Sequence, residues 1–134
     1  MRYLVDTDWA VWWPRGRPDV VQRLQALRNE GLAISTVTLG ELVTGVRRSN
    51  KRARNEEALQ HFLRRVTVLP FTDATAYRWG AEQARLLDAG EAINEFDLAI
   101  AATALQHDLV LLTENRRHYE RVAGLTLRSL ADQT

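Results

Sequence analysis

Four polar residues that lie far apart in the chain have the types and positions needed for a cation site. They are Asp6, Glu41, Asp97 and Asn115, and each lies where a predicted strand ends or a predicted helix begins. Carboxylates that converge in a small cleft repel one another unless a cation lies between them. The pattern therefore predicts a divalent metal and chemistry on phosphoryl groups.

The elements that would position these residues alternate between strands and helices. Short apolar runs predict strands at residues 3–5, 32–35, 66–69 and 109–112, with an edge strand at 125–127. Helical spacing of apolar residues predicts seven helices. They lie around 9–13, over 19–28, from residue 38 onward, over 56–66, from a cap at Asp73 to Gly90, from residue 94 onward, and over 117–122. Pro14 and Gly16 are expected to end the first of them. This alternation predicts one three-layer α/β domain over residues 1–134, with a central parallel sheet of four to five strands.

This architecture explains why residues so distant in sequence would meet. A crossover helix runs antiparallel to its strands, so a strand's last residue and the first turn of the next helix share the carboxyl edge of the sheet. Asp6 ends the first strand and Asn115 follows the fourth, while Glu41 and Asp97 are placed in first helical turns. If the first and fourth strands are neighbours where the strand order reverses, the acids share one crevice.

Each residue also has a local structural explanation. Glu41 would complete a capping box with the threonine three residues earlier, and Asp97 a looser one with the asparagine three residues earlier. Asn115 fits an ordinary turn. Asp6 is harder to explain in this way, because a charge that ends an apolar strand is costly unless something compensates it. The joint placement at one edge favours a site.

Composition limits the class of protein. The chain has 134 residues, of which 46% are hydrophobic and 26% charged, as expected for one globular domain with a real core. No apolar run approaches the roughly 18 residues that span a bilayer, and no secretory signal is evident. With no cysteine, a thiolate metal site is excluded. We expect an intracellular, cytoplasmic protein without membrane association.

Basic residues show a bias in type and position. Seventeen of the 18 are arginine, and Lys51 is the only lysine. Five of them are predicted to cluster between two helices: Arg47, Arg48, Lys51, Arg52 and Arg54. The cluster is either a solvated helix junction or, together with Arg116, a surface that contacts an RNA backbone.

Four segments resemble a known family. LVDTD at 4–8, TLGEL at 38–42, DLAIAATA at 97–104 and LTEN at 112–115 occur in the order typical of the PIN domain, and more narrowly of the ribonuclease toxins of VapBC toxin–antitoxin systems. The resemblance covers nearly the whole chain. It implies a Rossmann-like sheet, endoribonuclease activity dependent on Mg²⁺ (or Mn²⁺), a homodimer, and a small cognate antitoxin that holds the enzyme inactive.

The resemblance also implies roles for individual residues. Asp6 and Asp97 correspond to direct metal ligands, and Glu41 to a ligand that acts directly or through one water. Asn115 stands where many members have a fourth acid and others a neutral amide. The supporting residues would be Thr7, Thr113 and Asp8, the last standing where asparagine is more usual. A metal-activated water would then attack the RNA phosphate.

Other classes remain open. Asp6-x-Asp8 also opens haloacid-dehalogenase-type phosphatases, although that motif needs a threonine where this chain has Ala10. A response-regulator receiver would need a lysine at a later strand end, and a PIN-like binding protein without catalysis is the third alternative. The tryptophans at positions 9, 12 and 13 fit a core or a dimer interface, or could stack on bases. His118 is expected to be solvated.

Overall fold

The computed structural model describes residues 1–13 and 17–132, so the predicted break at Pro14 and Gly16 lies outside the described residues. The strands are β1 (Tyr3–Val5), β2 (Leu32–Ser35), β3 (Thr67–Leu69), β4 (Val110–Leu112) and β5 (Leu127–Arg128). The helices are α1 (Thr7–Trp12), α2 (Pro18–Leu27), α3 (Thr36–Arg48), α4 (Arg52–Leu63), α5 (Asp73–Asp88), α6 (Glu95–Gln106) and α7 (Arg116–Tyr119). A 3₁₀ turn at Arg28–Glu30 follows α2.

All five strands are parallel, in the order β3-β2-β1-β4-β5. Strand β1 lies in the centre, where Val5 pairs with Leu112 of β4 and Leu4 with Ala33 of β2. The Asp6 N–H continues this pairing and donates to the Leu112 carbonyl at 3.0 Å. The predicted α/β fold is confirmed, and β1 and β4 are the neighbours that a shared crevice requires.

Helices cover both faces of the sheet. Because alternate residues of a strand point to opposite faces, Tyr3 and Val5 join one buried apolar cluster and Leu4 joins the other. The first cluster includes Trp9 from α1 and Phe62 from α4. The second contains much of α6, whose small side chains allow that helix to pack closely against the sheet. The result is the predicted three-layer arrangement, and it fixes the starts of α1 and α6 near the end of β1.

Helix α3 begins earlier than predicted. Ser35, the last residue of β2, is its N-cap, and the Ser35 hydroxyl accepts a hydrogen bond from the Thr38 N–H at 3.1 Å. The prediction that Thr38 and Glu41 form a capping box is therefore wrong, because the helix already begins at Thr36. Glu41 lies in the second turn of α3 and not in the first, so capping does not explain it.

Other boundaries also shift. Asp73 is the first residue of α5 and not its cap, because Thr72 and Thr75 form a reciprocal capping box. Helix α4 begins at Arg52, so only Lys51 of the basic cluster lies between the two helices, as the N-cap of α4. The four arginines of the cluster lie in the last turn of α3 and at the start of α4. There the Arg52 guanidinium donates to the Arg47 carbonyl at 2.7 Å and caps the end of α3.

The edge of the sheet beyond β4 differs as well. The edge strand begins at Leu127, two residues later than predicted. The short helix before it ends at Tyr119 and not at residue 122. No helix within the described ranges is long and apolar enough to cross a bilayer.

Candidate active site

Asp6 is the centre of the site. It follows β1, is only 5% exposed, and caps α1 by accepting the Thr7 N–H at 2.8 Å. The Thr113 hydroxyl donates to the Asp6 Oδ2 at 2.6 Å, and the buried Tyr119 hydroxyl donates to Oδ1 at 3.1 Å. Burial, with the nearby charge of Asp8, nevertheless raises the pKa of Asp6 to about 7. The neutral donors do not fully compensate a negative charge placed here.

Asp97 is brought to the same place by α6. Asn94 caps that helix, and its side-chain oxygen accepts the N–H groups of Phe96 and Asp97. Burial raises the pKa of Asp97, although His118 and the hydroxyl of Tyr119 partly offset the shift. The repulsion between Asp6 and Asp97 also contributes to the raised pKa of Asp6. The two carboxylates are therefore close enough to affect each other's charge.

Tyr119 donates to Asp6 and is affected by the charges of both acids. Its side chain is fully buried, and burial together with the charges of Asp6 and Asp97 raises the pKa of its own hydroxyl. The phenol therefore remains a hydrogen-bond donor. Tyr119 is not among the residues predicted from the sequence. The available signal was its position four residues, or about one helical turn, after Asn115.

A line of hydroxyls holds Glu41. The Thr7 hydroxyl donates to the Glu41 Oε1 at 2.7 Å and lies 2.9 Å from the Thr38 hydroxyl. Because the single Thr7 proton points to Glu41, the Thr38 hydroxyl must donate to Thr7. Ser35 is in turn 3.4 Å from the Thr38 hydroxyl. This relay fixes the Glu41 carboxylate beside the residue that follows Asp6.

Asp8, expected to be a supporting residue, accepts hydrogen bonds from two backbone N–H groups. Its Oδ1 accepts the Trp9 N–H at 2.7 Å, and its Oδ2 accepts the Glu114 N–H at 2.9 Å. The Trp9 indole N–H donates to the Glu114 carboxylate at 2.9 Å. These bonds tie the loop after β4 to α1. Asp8 thus holds the segment that carries Thr113 and Asn115 beside Asp6.

Asn115 and His118 form the outer side of the site. The Asn115 N–H donates to the Thr113 hydroxyl at 3.0 Å, and its side-chain amide nitrogen is 3.2 Å from the His118 Nδ1. The His118 Nδ1 is also 3.8 Å from the Asp97 Oδ2. His118, expected to be solvated, is half-exposed but lies directly beside the acids.

The structure brings the predicted acids to one edge without preassembling a metal cluster. Within residues 1–13 and 17–132, no three Asp, Glu or His side chains lie together in an arrangement that could already hold an ion. The carboxylates do not cluster because like charges repel. Asp6 and Glu41 each accept a hydrogen bond from a hydroxyl group. The residues still fit a hard divalent cation, because the acids offer oxygen ligands and the charge of Asp6 is not fully compensated.

The basic residues lie outside this acidic centre. Arg116 pairs with Asp132 at 2.9 Å and with Glu120 at 3.7 Å. Between the acids and the basic junction of α3 and α4 lies a cavity of about 170 Å³, which includes Glu41 and continues along apolar side chains to Phe62.

Comparisons with known proteins agree with this arrangement. A family model described as "PIN domain" matches residues 3–125. A protein from Shigella flexneri named tRNA(fMet)-specific endonuclease VapC is 32% identical over 125 residues, which cover 93% of this chain and 95% of that protein. The fold is similar to a crystal structure of VapBC2 from Rickettsia felis bound to a promoter DNA fragment, with a TM-score of 0.90, 30% identity, and coverage of 96% of this chain and 98% of the other. It is also similar to DNA-bound VapBC from Salmonella typhimurium, with a TM-score of 0.91, 26% identity, and coverage of 98% and 99%.

Proposed function

This chain belongs to the PIN-domain family, within its group of VapC ribonucleases, and from that premise we propose that it is a toxin that cleaves RNA with the help of a divalent cation. The observation that supports the proposal most directly is the buried Asp6, which accepts the Tyr119 hydroxyl and whose pKa is raised to about 7 by burial and by the charges of Asp8 and Asp97. A carboxyl group with this pKa is only partly ionised at neutral pH, and a bound cation would favour its ionised form.

Asp6 and Asp97 would hold Mg²⁺ or Mn²⁺, and Glu41 would contribute directly or through one water. When bound, the ion neutralises a phosphate oxygen and lowers the pKa of a bound water. Asn115 would reach the site through water. With its carboxylate oriented by Thr7, Glu41 accepts a hydrogen bond from the attacking water and directs it at phosphorus. The bond from phosphorus to the 3′ oxygen breaks, which leaves a 5′-phosphate and a 3′-hydroxyl.

Neighbouring residues hold the Asp6 carboxylate in a fixed orientation. Thr113 and Tyr119 hold the Asp6 carboxylate in one orientation, and Asp8 holds the loop that carries Thr113. Side chains fixed by a second set of hydrogen bonds keep the reacting groups aligned.

The partners follow from the same premise. We propose that a cognate antitoxin binds this chain and blocks the site. Its existence is supported by the similar VapBC structures, because VapBC is a family of toxin-antitoxin systems. A basic side chain of the antitoxin would face Glu41, and an apolar segment would fill the adjoining 170 Å³ cavity. A homodimer is also proposed, with exposed apolar side chains such as Tyr77, Leu87 and Phe96 available for burial.

Cleavage of end-labelled RNA by the purified protein tests the activity. The name of the Shigella relative makes tRNA(fMet) the first substrate to examine, beside a pool of total RNA. We expect cleavage with Mg²⁺ and none with EDTA, no cleavage by Asp97→Asn, and normal cleavage by the matched control Asp88→Asn, whose carboxylate is exposed at the end of α5.

The chemistry of the new ends provides a second criterion. The 5′ fragment should carry a 3′-hydroxyl that poly(A) polymerase extends without prior phosphatase treatment. A cyclic 2′,3′-phosphate, or cleavage that persists in EDTA, would contradict hydrolysis by metal-activated water.

A further inference from the structure

A second cavity lies at the far end of α1, away from the acids. It has a volume of about 370 Å³, within the range typical of ligand sites. The residues that line it are Trp13, Arg54, Glu57, Ala58, His61 and Arg64. None of them takes part in the acidic site, and they combine the aromatic ring of Trp13 with the guanidinium groups of two arginines.

The ring of Trp13 is in contact with two neighbouring side chains that do not line the cavity. It packs against Phe62 with ring centroids 5.9 Å apart, and the Arg65 guanidinium lies 5.4 Å from the Trp13 ring centroid. Arg65 is itself fixed by a hydrogen bond to the His61 carbonyl at 3.1 Å. The indole is only partly buried, so an aromatic surface in a fixed orientation contributes to the cavity.

The charge of the cavity is positive. Arg54 and Arg64 are both exposed, and neither forms an ion pair with any residue in the described part of the chain. Glu57 is the single acid among the lining residues, against these two arginines and the adjacent Arg65. Guanidinium groups without a partner suit phosphate oxygens, and an aromatic face suits a base.

We propose that this cavity, the Trp13 site, binds a nucleotide of the RNA substrate outside the scissile phosphate. The base stacks on Trp13, and the phosphate lies between Arg54 and Arg64. Helix α1 places Trp13 seven residues from Asp6, which is about 10 Å along a helix axis and about three steps of a stacked strand. The inference rests on the proposed ribonuclease activity and adds to it a site that positions the substrate.

RNA binding by variants tests the proposal. The background is Asp6→Asn, so that the probe, a fluorescent single-stranded RNA of about twelve nucleotides, is not cleaved during the titration. Trp13→Ala should weaken binding at least about fivefold, the equivalent of the 1 kcal/mol lower limit for one stacked base. Trp13→Tyr keeps an aromatic face and should recover most of the affinity.

The arginine pair gives an independent measurement on exposed residues, whose replacement leaves the core untouched. In the double variant Arg54→Gln/Arg64→Gln, the slope of log K against log salt concentration should fall by about 1.4, or about 0.7 for each lost contact with a single strand. Arg78→Gln, an exposed arginine of α5, is the control and should change neither affinity nor slope.

The outcomes separate the two proposals. If the unmodified protein cleaves RNA but the Trp13 and arginine variants bind it as the parent does, the Trp13 site is wrong and the ribonuclease activity stands. If polyglutamate of equal charge displaces the RNA and loses affinity equally in Trp13→Ala, the cavity binds acidic chains and not nucleotides, which also overturns the inference. Absence of any cleavage by the unmodified protein would overturn the proposed function itself.

Discussion

Replacing Asp6 with asparagine should stabilise the metal-free protein while abolishing cleavage. The pKa of Asp6 is raised from 3.8 to about 7 by burial and by the neighbouring acids. One unit of pKa shift corresponds to about 1.36 kcal/mol, so ionised Asp6 costs the folded protein about 4 kcal/mol at about pH 8. Asparagine removes that charge but presents an amide to Thr113, and the lost hydrogen bond costs about 1–2 kcal/mol. We expect a net gain of about 2–3 kcal/mol in the free energy of unfolding.

The sign of the pH dependence follows from linkage. Between pH 3.8 and about 7 the folded protein binds more protons at Asp6 than the unfolded chain does. The unmodified protein therefore gains stability as the pH falls through this window, and Asp6→Asn lacks that gain. The advantage of the variant should shrink by about 3 kcal/mol between about pH 8 and about pH 4.5.

Urea unfolding in EDTA measures both effects, with the exposed Asp88→Asn as a control that should stay within about 0.5 kcal/mol of the unmodified protein. Adding Mg²⁺ should stabilise the unmodified protein in proportion to RT ln(1 + [L]/Kd) and leave Asp6→Asn nearly unchanged. A variant that is less stable at about pH 8, by an amount that does not depend on pH, would refute the view that Asp6 carries an uncompensated charge.

The remaining predictions concern the groups around Asp6. Tyr119→Phe removes the hydroxyl that donates to Asp6 and should cost about 1–2 kcal/mol of stability in EDTA, measured by urea unfolding; no loss would show that the hydroxyl is not needed there. Thr7→Val frees the Glu41 carboxylate and should lower kcat for RNA cleavage about tenfold or more, whereas an unchanged kcat would remove the relay from the mechanism. Because Mg²⁺ must displace a proton from Asp6, calorimetry in buffers of different ionisation enthalpy should detect proton release that grows as the pH falls below about 7, and equal heats in all buffers would contradict the raised pKa.

Local chemistry made much of the fold predictable. Apolar runs of three or four residues predicted the strands, and Gly31, with a φ of 91°, ends the 3₁₀ turn that follows α2. Helix starts were less certain, because several polar residues in a row can act as the cap. Ser35 and Thr72 take that role in place of Thr38 and Asp73, which moves the first turn and changes the place of Glu41.

Some features of the site could likewise be predicted from the sequence, and others could not. The expectation that Asp6, Asp97 and the segment after β4 meet followed from strand ends and helix starts, and the parallel order around β1 bears it out. Their roles as metal ligands remain predictions for the variants above. The hydrogen bond from the Glu114 N–H to Asp8 could not be predicted from the sequence, because the two residues are 106 positions apart.

The sequence by itself therefore determined the element types, the parallel sheet and the acids at its carboxyl edge, because caps, periodicity and strand ends are local properties of the chain. The tertiary structure alone decided which hydroxyls hold those acids. It paired Tyr119 and Thr113 with Asp6, set Thr7 against Glu41, and placed Trp13 beside Arg54 and Arg64. Such contacts depend on strand order and helix packing, and these emerge only when the two apolar faces of the sheet are covered together.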